Sequence, residues 1–561
     1  MSLRTLLLVA ACALAACTPP TSGPVPAPAA YPTPDELARG AKSSPLLPPV
    51  PAVTGALTPR VVYPVANALI RARDSTFIFG SIGNGTASLT INGMPVHVWP
   101  NGAFLGFLPL PADTVAPRWD LVATLGADTA RLTVPIRYPQ PPPRVDTVTA
   151  DTVLADTLRA KTDSARRDSL LRAGEGLLQA RDTMPRWVVL GAGITSLDSI
   201  PADTDRVVVG RPIRGGTYKW FLLPGTVVRQ VERFADYVRV RLDEQLDVWV
   251  NAEDAVPLDS VPPPPMAIAS NARVVPAAGW VDLVIPLGVR PAYFVEQAGS
   301  DLVLTLYNTK ATTDIIAYRD NDPFVRTVEW EQQASDRARF TVRLRGEPFG
   351  YLVFWENGNL VLRVRRRPAV VASAPLRGMV IAVDPGHPPI GATGPTGLWE
   401  PQATLWVGER VERMLRERGA TVVMTRTTMG PVELGFRPVI ARRADAHALV
   451  SIHLNALPDG VNPFRAHGTG TYFFRAHAEP LARAVQRGMV ARMGLPNHGV
   501  FYDNLALTRP TWMPSILCEG AFLMMPDQEA ALRTPEFQEA YARGIVDGLE
   551  AWFRSLADDA R

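Results

Sequence analysis

The chain has 561 residues, 47% hydrophobic and 20% charged, with a formal charge of +3 and 54 prolines. That length exceeds a single core, so several domains are expected. The composition is that of an ordinary soluble protein, and so small a net charge gives no case for nucleic acid as a partner. The prolines cluster at 19–60, 139–143 and 262–265, which marks linkers between folded units.

Residues 1–17 read as a targeting segment. Arg4 precedes the apolar run 6–16, which is too short to span a bilayer and ends in Leu14-Ala15-Ala16-Cys17. This ending resembles the bacterial lipoprotein box, which implies cleavage before Cys17 and lipidation of its thiol; an ordinary secretory signal cut at a small residue is the alternative. Thr18 is not the Asp that retains many lipoproteins at an inner membrane, so the expected location is the periplasm, anchored to the outer membrane through Cys17. Cys12 leaves with the signal, Cys17 is lipidated, and Cys518 alone remains, so no intramolecular disulfide is expected. Residues 18–60 read as a disordered Pro-rich tether. Some forty residues at about 3.1 Å each reach on the order of 130 Å.

Residues 61–138 alternate apolar and polar positions, with the hairpin dipeptides Asn84-Gly85, Asn92-Gly93 and Asn101-Gly102. This pattern looks like a bacterial immunoglobulin-like β module. Residues 139–186 read as a partly helical linker. In 187–257 the strictly alternating run YVRVRL is followed by VWV, which resembles a small barrel of the Src-homology kind. Residues 258–368 hold further strand runs, WVDLVIPL and NLVLRVRRRP among them. Their order resembles the AMIN module, a β-rich unit that targets cell-wall amidases.

From 377 to 557 strands alternate with helices: GMVIAVD, then the helix around QATLWVGERVERMLRERG, ATVVMTR, ALVSIH, GTGTYFFRA, a helix near 477–493, SILCE and a long last helix. Such repetition predicts a mostly parallel sheet with helices on both faces, preceded by the all-β modules. Ligands bind such sheets at the carboxyl ends of strands, where His387, His453 and Glu519 fall. Two imidazoles and one carboxylate make a three-ligand metal set with an open fourth position, and a further carboxylate is then free as a base. A Cys–His hydrolase using Cys518 is disfavoured. Neighbouring strand residues face opposite ways, so Cys518 points inward if Glu519 faces the site.

VDPGH, GPTGLWE, TVVMTR, RPVIARRADAHALVSIHLNA and CEGAF stand in the order found in the type-3 N-acetylmuramoyl-L-alanine amidases, which this stretch resembles. The resemblance implies one zinc ion held by His387, Glu400 and His453, with Glu519 as the catalytic carboxylate. The implied substrate is peptidoglycan, cut at the amide between N-acetylmuramic acid and L-alanine of the stem peptide. Asn455 and Arg426 are candidates for holding substrate. The chain departs from the family at Pro388-Pro389, Arg442, His447 and the last motif, E-G-A-F. The 65 residues between His453 and Glu519 leave little room for a helical plug over the site. A non-catalytic peptidoglycan-binding or scaffolding lipoprotein with this fold is the alternative. Protein activators, stem-peptide preference and oligomeric state are not legible.

Overall fold

The computed structural model describes residues 47–139, 186–194, 207–257, 264–320 and 322–558. The targeting segment with Cys17, most of the tether and nearly all of the 139–186 linker lie outside the described residues.

The first β module pairs a three-stranded sheet with a five-stranded one around Phe104, Trp119, Leu121 and Ile78. Asn92 and Gly93, at φ 48° and 79°, form the two-residue turn that joins Ser88–Ile91 to Met94–Val96. The second module is built on a five-stranded antiparallel sheet that includes Val227–Phe234, Tyr237–Asp243 and Leu246–Asn251. The third sets a five-stranded sheet, ending in Asn359–Arg365 and Gly350–Glu356, against a four-stranded one.

The C-terminal domain runs β1 (Val380–Pro385), α1 (Glu400–Glu417), β2 (Thr421–Met424), α2 (Phe436–Arg443), β3 (Ala448–Asn455), β4 (Thr469–Phe473), α3 (Glu479–Met493), β5 (Asn497–Tyr502), β6 (Ser515–Phe522), α4 (Pro526–Leu532) and α5 (Pro535–Asp558). The sheet order is β2-β1-β3-β6-β4-β5. Strands β2, β1, β3 and β6 are parallel, whereas β4 is antiparallel to β6 and carries β5 parallel to itself. The sheet is mostly parallel, as expected, with one antiparallel pair, β6–β4, that makes it mixed. A parallel crossover needs a helix-sized connection, and no α-helix separates β3 from β4.

Period-2 alternation divides the strands between two cores. Ile381, Val383, Val450, Ile516 and Cys518 join the apolar faces of α1, α3 and α5. Ala382, Leu449 and Leu517 face the other way, onto Ala441 of α2 and Leu507, Trp512 and Met513. Helix α1 buries Ala403, Val407, Val411 and Met414, and its wet side carries Glu412–Arg416 at 2.7 Å. Arg413 pairs with Glu417 and with Glu539 of α5. The one α-helix between His453 and Glu519, α3, packs on α5 in the helical layer.

The β modules are docked on this domain. Leu47 and Phe349 both belong to its main core. The amides of Val53 and Thr58 donate to Pro100 and Ile82, so this extended, largely exposed segment is hydrogen-bonded along the first module, short of the tether boundary expected at 60. Proline excludes helix but leaves extended chain free to lie against a surface. Arg365 of the third module is 4% exposed and donates to the carbonyls of Asp445 and Ala446, just before β3.

His477 is buried in the same interface, with Nδ1 3.2 Å from Gln297 Oε1 and its ring edge-on to Tyr351. Burial, with Arg475 adding to it, pushes its pKa down from 6.5 to about 3. Burial and then Arg365 lower His447 to about 4. In both cases the unfolded chain takes up the proton first. Stability is then full above about pH 6.5 and is lost as pH falls toward the folded values, by roughly 1.4 kcal/mol per unit for each histidine. Thermal unfolding between pH 7 and 5 is expected to show a falling midpoint, with a shallower fall in His477→Leu.

Candidate metal centre

The site begins with a buried charge. Asp384, fully buried at the end of β1, accepts from Thr425 Oγ1, from Ser451 Oγ at 2.6 Å and from Arg437 Nη1 at 2.8 Å. Arg437, 3% exposed, also donates to the carbonyls of Pro385 (2.9 Å) and His387 (2.7 Å). Arg426 donates from Nε to Pro385 O at 2.8 Å and from Nη2 to Gly386 O, Pro401 O and Thr404 Oγ1 at 2.7–3.0 Å. Its Nη1 donates to Thr428 O, and the residue is 4% exposed. This corrects the expectation that Arg426 holds substrate: its guanidinium clamps the Pro385–Gly386 turn from behind. That clamp keeps His387 at φ 61°, a left-handed conformation that costs a non-glycine residue about 1–2 kcal/mol.

Glu400 opens α1 and is 3% exposed. Its Oε1 accepts from Leu454 N at 3.0 Å and faces His453 Nδ1 at 3.2 Å. Its Oε2 accepts from Ala392 N at 2.9 Å and faces His387 Nε2 at 3.2 Å. Each oxygen therefore has one amide and one imidazole. Burial pushes this carboxyl up, but the two histidines outweigh it and hold it well below the usual carboxylate range. The His387, Glu400 and His453 donor atoms lie within 4.8 Å of one another. Ligand atoms about 2.0–2.1 Å from a tetrahedral ion stand roughly 3.3 Å apart, so the two 3.2 Å separations suit one small cation.

Glu519 is the register partner of His453 across the parallel pair β3–β6, so the two side chains leave the sheet on the same face. Its Oε2 is buried and accepts no hydrogen bond among the described residues. Burial, then the charge of Glu400, pushes its carboxyl well above the ordinary range. Cys518 is fully buried in the opposite core, and burial raises its thiol too. Asn455 lies at the rim, half-buried, past a register shift after His453; its side chain hydrogen-bonds Tyr472.

Residues 381–551 match the family described as N-acetylmuramoyl-L-alanine amidase. The germination-specific N-acetylmuramoyl-L-alanine amidase of Bacillus subtilis is 31% identical over 212 residues, which are 33% of this chain and 84% of that protein. The chain belongs to the N-acetylmuramoyl-L-alanine amidase family. The probable cell wall amidase LytH of Staphylococcus epidermidis is 30% identical over 189 residues, 33% of this chain, and the chain spans 62% of LytH's length. A solved N-acetylmuramoyl-L-alanine amidase from Clostridium difficile 630 is 28% identical, covering 31% of this chain and 97% of that one, with a TM-score of 0.30.

In this member of the family several supporting groups escaped the sequence reading. Arg437 and Tyr541 look like ordinary helix residues. Tyr541 is fully buried; its hydroxyl accepts from Gly520 N at 2.9 Å and lies 3.0–3.1 Å from the carbonyls of Cys518 and His453, bridging β3 and β6 beneath the site. Gly386 is fixed by close approach, since a Cβ there would stand 2.4 Å from His453 Cε1. Gly386→Ala is expected to push the His453 ring aside and weaken divalent-metal affinity about 10–100-fold. Competition against a chromogenic chelator measures this, with circular dichroism confirming the fold.

Proposed function

We propose that the domain at 377–557 hydrolyses the amide between N-acetylmuramic acid and L-alanine of the stem peptide in peptidoglycan, with one zinc ion held by His387, Glu400 and His453. The reading is carried by one arrangement: Glu519 stands in register beside His453, on the face where a carboxylate and two imidazoles converge, in a chain of the amidase family. A neutral-imidazole and carboxylate set is what zinc takes in hydrolytic sites. When bound there, zinc would polarise the amide carbonyl and lower the pKa of water.

The remaining work falls to the chain's own groups. Glu519 takes the proton of the attacking water and delivers it to the departing nitrogen of L-alanine. Oε2 accepts no hydrogen bond among the described residues, which leaves it available for that transfer. Glu400 would supply the carboxylate ligand, and its position at the first turn of α1 suits its negative charge. Asn455, at the open end of β3, supplies an amide to the substrate rim.

The scaffold reading is the weaker one, because a wall-binding protein has no use for a buried carboxylate beside the metal set. The Leu14–Cys17 box and Thr18 favour an outer-membrane lipoprotein facing the periplasm, with the immunoglobulin-like, Src-homology-like and AMIN-like modules between anchor and enzyme. Purified full-length protein is expected to release stem peptide from muropeptides, to lose this activity with EDTA and to regain it with zinc. Glu519→Gln is expected to cut the rate by 10²–10⁴-fold or more with metal content unchanged. Equal release by wild type and Glu519→Gln refutes the assignment.

A further inference from the structure

A cleft of about 430 Å³ lies between the first β module and the catalytic domain. One wall is the chain from Pro51 to Arg60, and the other is Pro395, Thr396 and Arg533. The lining contains two guanidiniums and no carboxylate. Both cations bear on the same point of the loop between His387 and Glu400. Arg533 Nη2 donates to Thr396 Oγ1 at 3.2 Å. Arg60 reaches across so closely that a Cβ on the next residue, Gly397, would stand 3.3 Å from its Nη2.

The acidic group nearest this point, Glu529, is fully buried behind the loop and accepts from the amides of Thr396 and Leu398 at 2.8–3.1 Å. Arg533 Nη2 lies 3.5 Å from Glu529 Oε1, so this buried carboxylate partly offsets that cation. Two guanidiniums against one buried carboxylate leave the cleft one positive charge in excess, carried on the solvent side by Arg60, and its apolar share comes from prolines, Val53 and Ala530.

The same loop leads to the metal centre, where Ala392 N donates to Glu400 Oε2. From Ala392 to Thr396 is four residues, a span of at most roughly 14 Å. An extended peptide of four or five residues spans about the same distance, so a chain cut at the metal centre can set its far end in the cleft.

We propose that this cleft is a subsite for an anionic peptide, in which Arg60 and Arg533 hold a free carboxylate of the stem while its first amide lies at His387, Glu400 and His453. The inference rests on the amidase reading for the identity of the peptide. It assigns to the first β module, which lies outside the family match, a part in substrate selection.

The test compares two muropeptides on the full-length chain, one with free stem carboxylates and one with them amidated. Wild type is expected to favour the free form in kcat/KM by about tenfold or more, a preference that fades with added salt. Arg60→Ala and Arg533→Ala are each expected to bring the ratio toward one, with Arg60→Lys retaining part of it. Arg60 is exposed, so its replacement leaves the fold intact. No preference in wild type, or an unchanged preference in Arg60→Ala, overturns the subsite. If wild type cleaves neither compound, the amidase reading is what fails. Calorimetric binding of the free-carboxylate muropeptide then decides the cleft, with weakening in Arg60→Ala supporting it and equal affinity refuting it.

Discussion

The buried carboxylate of Asp384 is the constraint on which the metal centre depends. An unpaired charge at that depth would cost several kcal/mol, so it organises donors around itself: two hydroxyls and the guanidinium of Arg437. Arg437, once fixed, reaches on to the carbonyls of Pro385 and His387, and Arg426 takes those of Pro385 and Gly386. Backbone oxygens that would otherwise be lost to water are thereby satisfied inside the domain. The turn cannot relax out of its left-handed step at His387 without breaking several charge-assisted hydrogen bonds together. Pre-organisation of this kind keeps two imidazoles and a carboxylate at ligand spacing in the protein alone.

The second strut works from the other side. Tyr541 on α5 ties the chain at His453 to the chain at Cys518, so the strands carrying His453 and Glu519 are linked beneath the site. Gly386 and Gly520 are the steric counterparts of these struts. At the first the His453 ring, and at the second the Tyr541 ring, occupies the space a Cβ would need.

Much of this centre was legible because strand-end geometry leaves marks in sequence. Period-2 alternation placed Glu519 toward the site and Cys518 toward the core, and His387 and His453 fell at the carboxyl ends of strands. What stayed hidden depends on where things land in space. An arginine after a strand looks the same whether it faces substrate or carbonyls, so Arg426 was misread. The length of the β3–β4 connection does not tell which side of β6 the chain will return to, so the antiparallel placement of β4 was not foreseen. Proline-rich composition excludes regular structure but not backbone hydrogen bonds along a module, and Val53 and Thr58 make them. Nothing local marks His477 as buried, because its partner, Gln297, lies 180 residues away in another module.

That last point bears on what the β modules are for. Strand patterns identify each module as a fold, yet carry no sign that Leu47 and Phe349 complete the catalytic core or that Arg365 props the start of β3. The first module touches loops on either side of the candidate metal ligands. Arg60 lies against Gly397, ahead of Glu400, and Tyr63 donates to Asp459, which follows His453. A module tethered only for targeting would leave those loops to solvent. Held on both, it removes freedom from the segments that position the ligands. It also sets a second binding element at a fixed distance from the scissile bond, the arrangement by which remote contacts become orientation at the reacting centre.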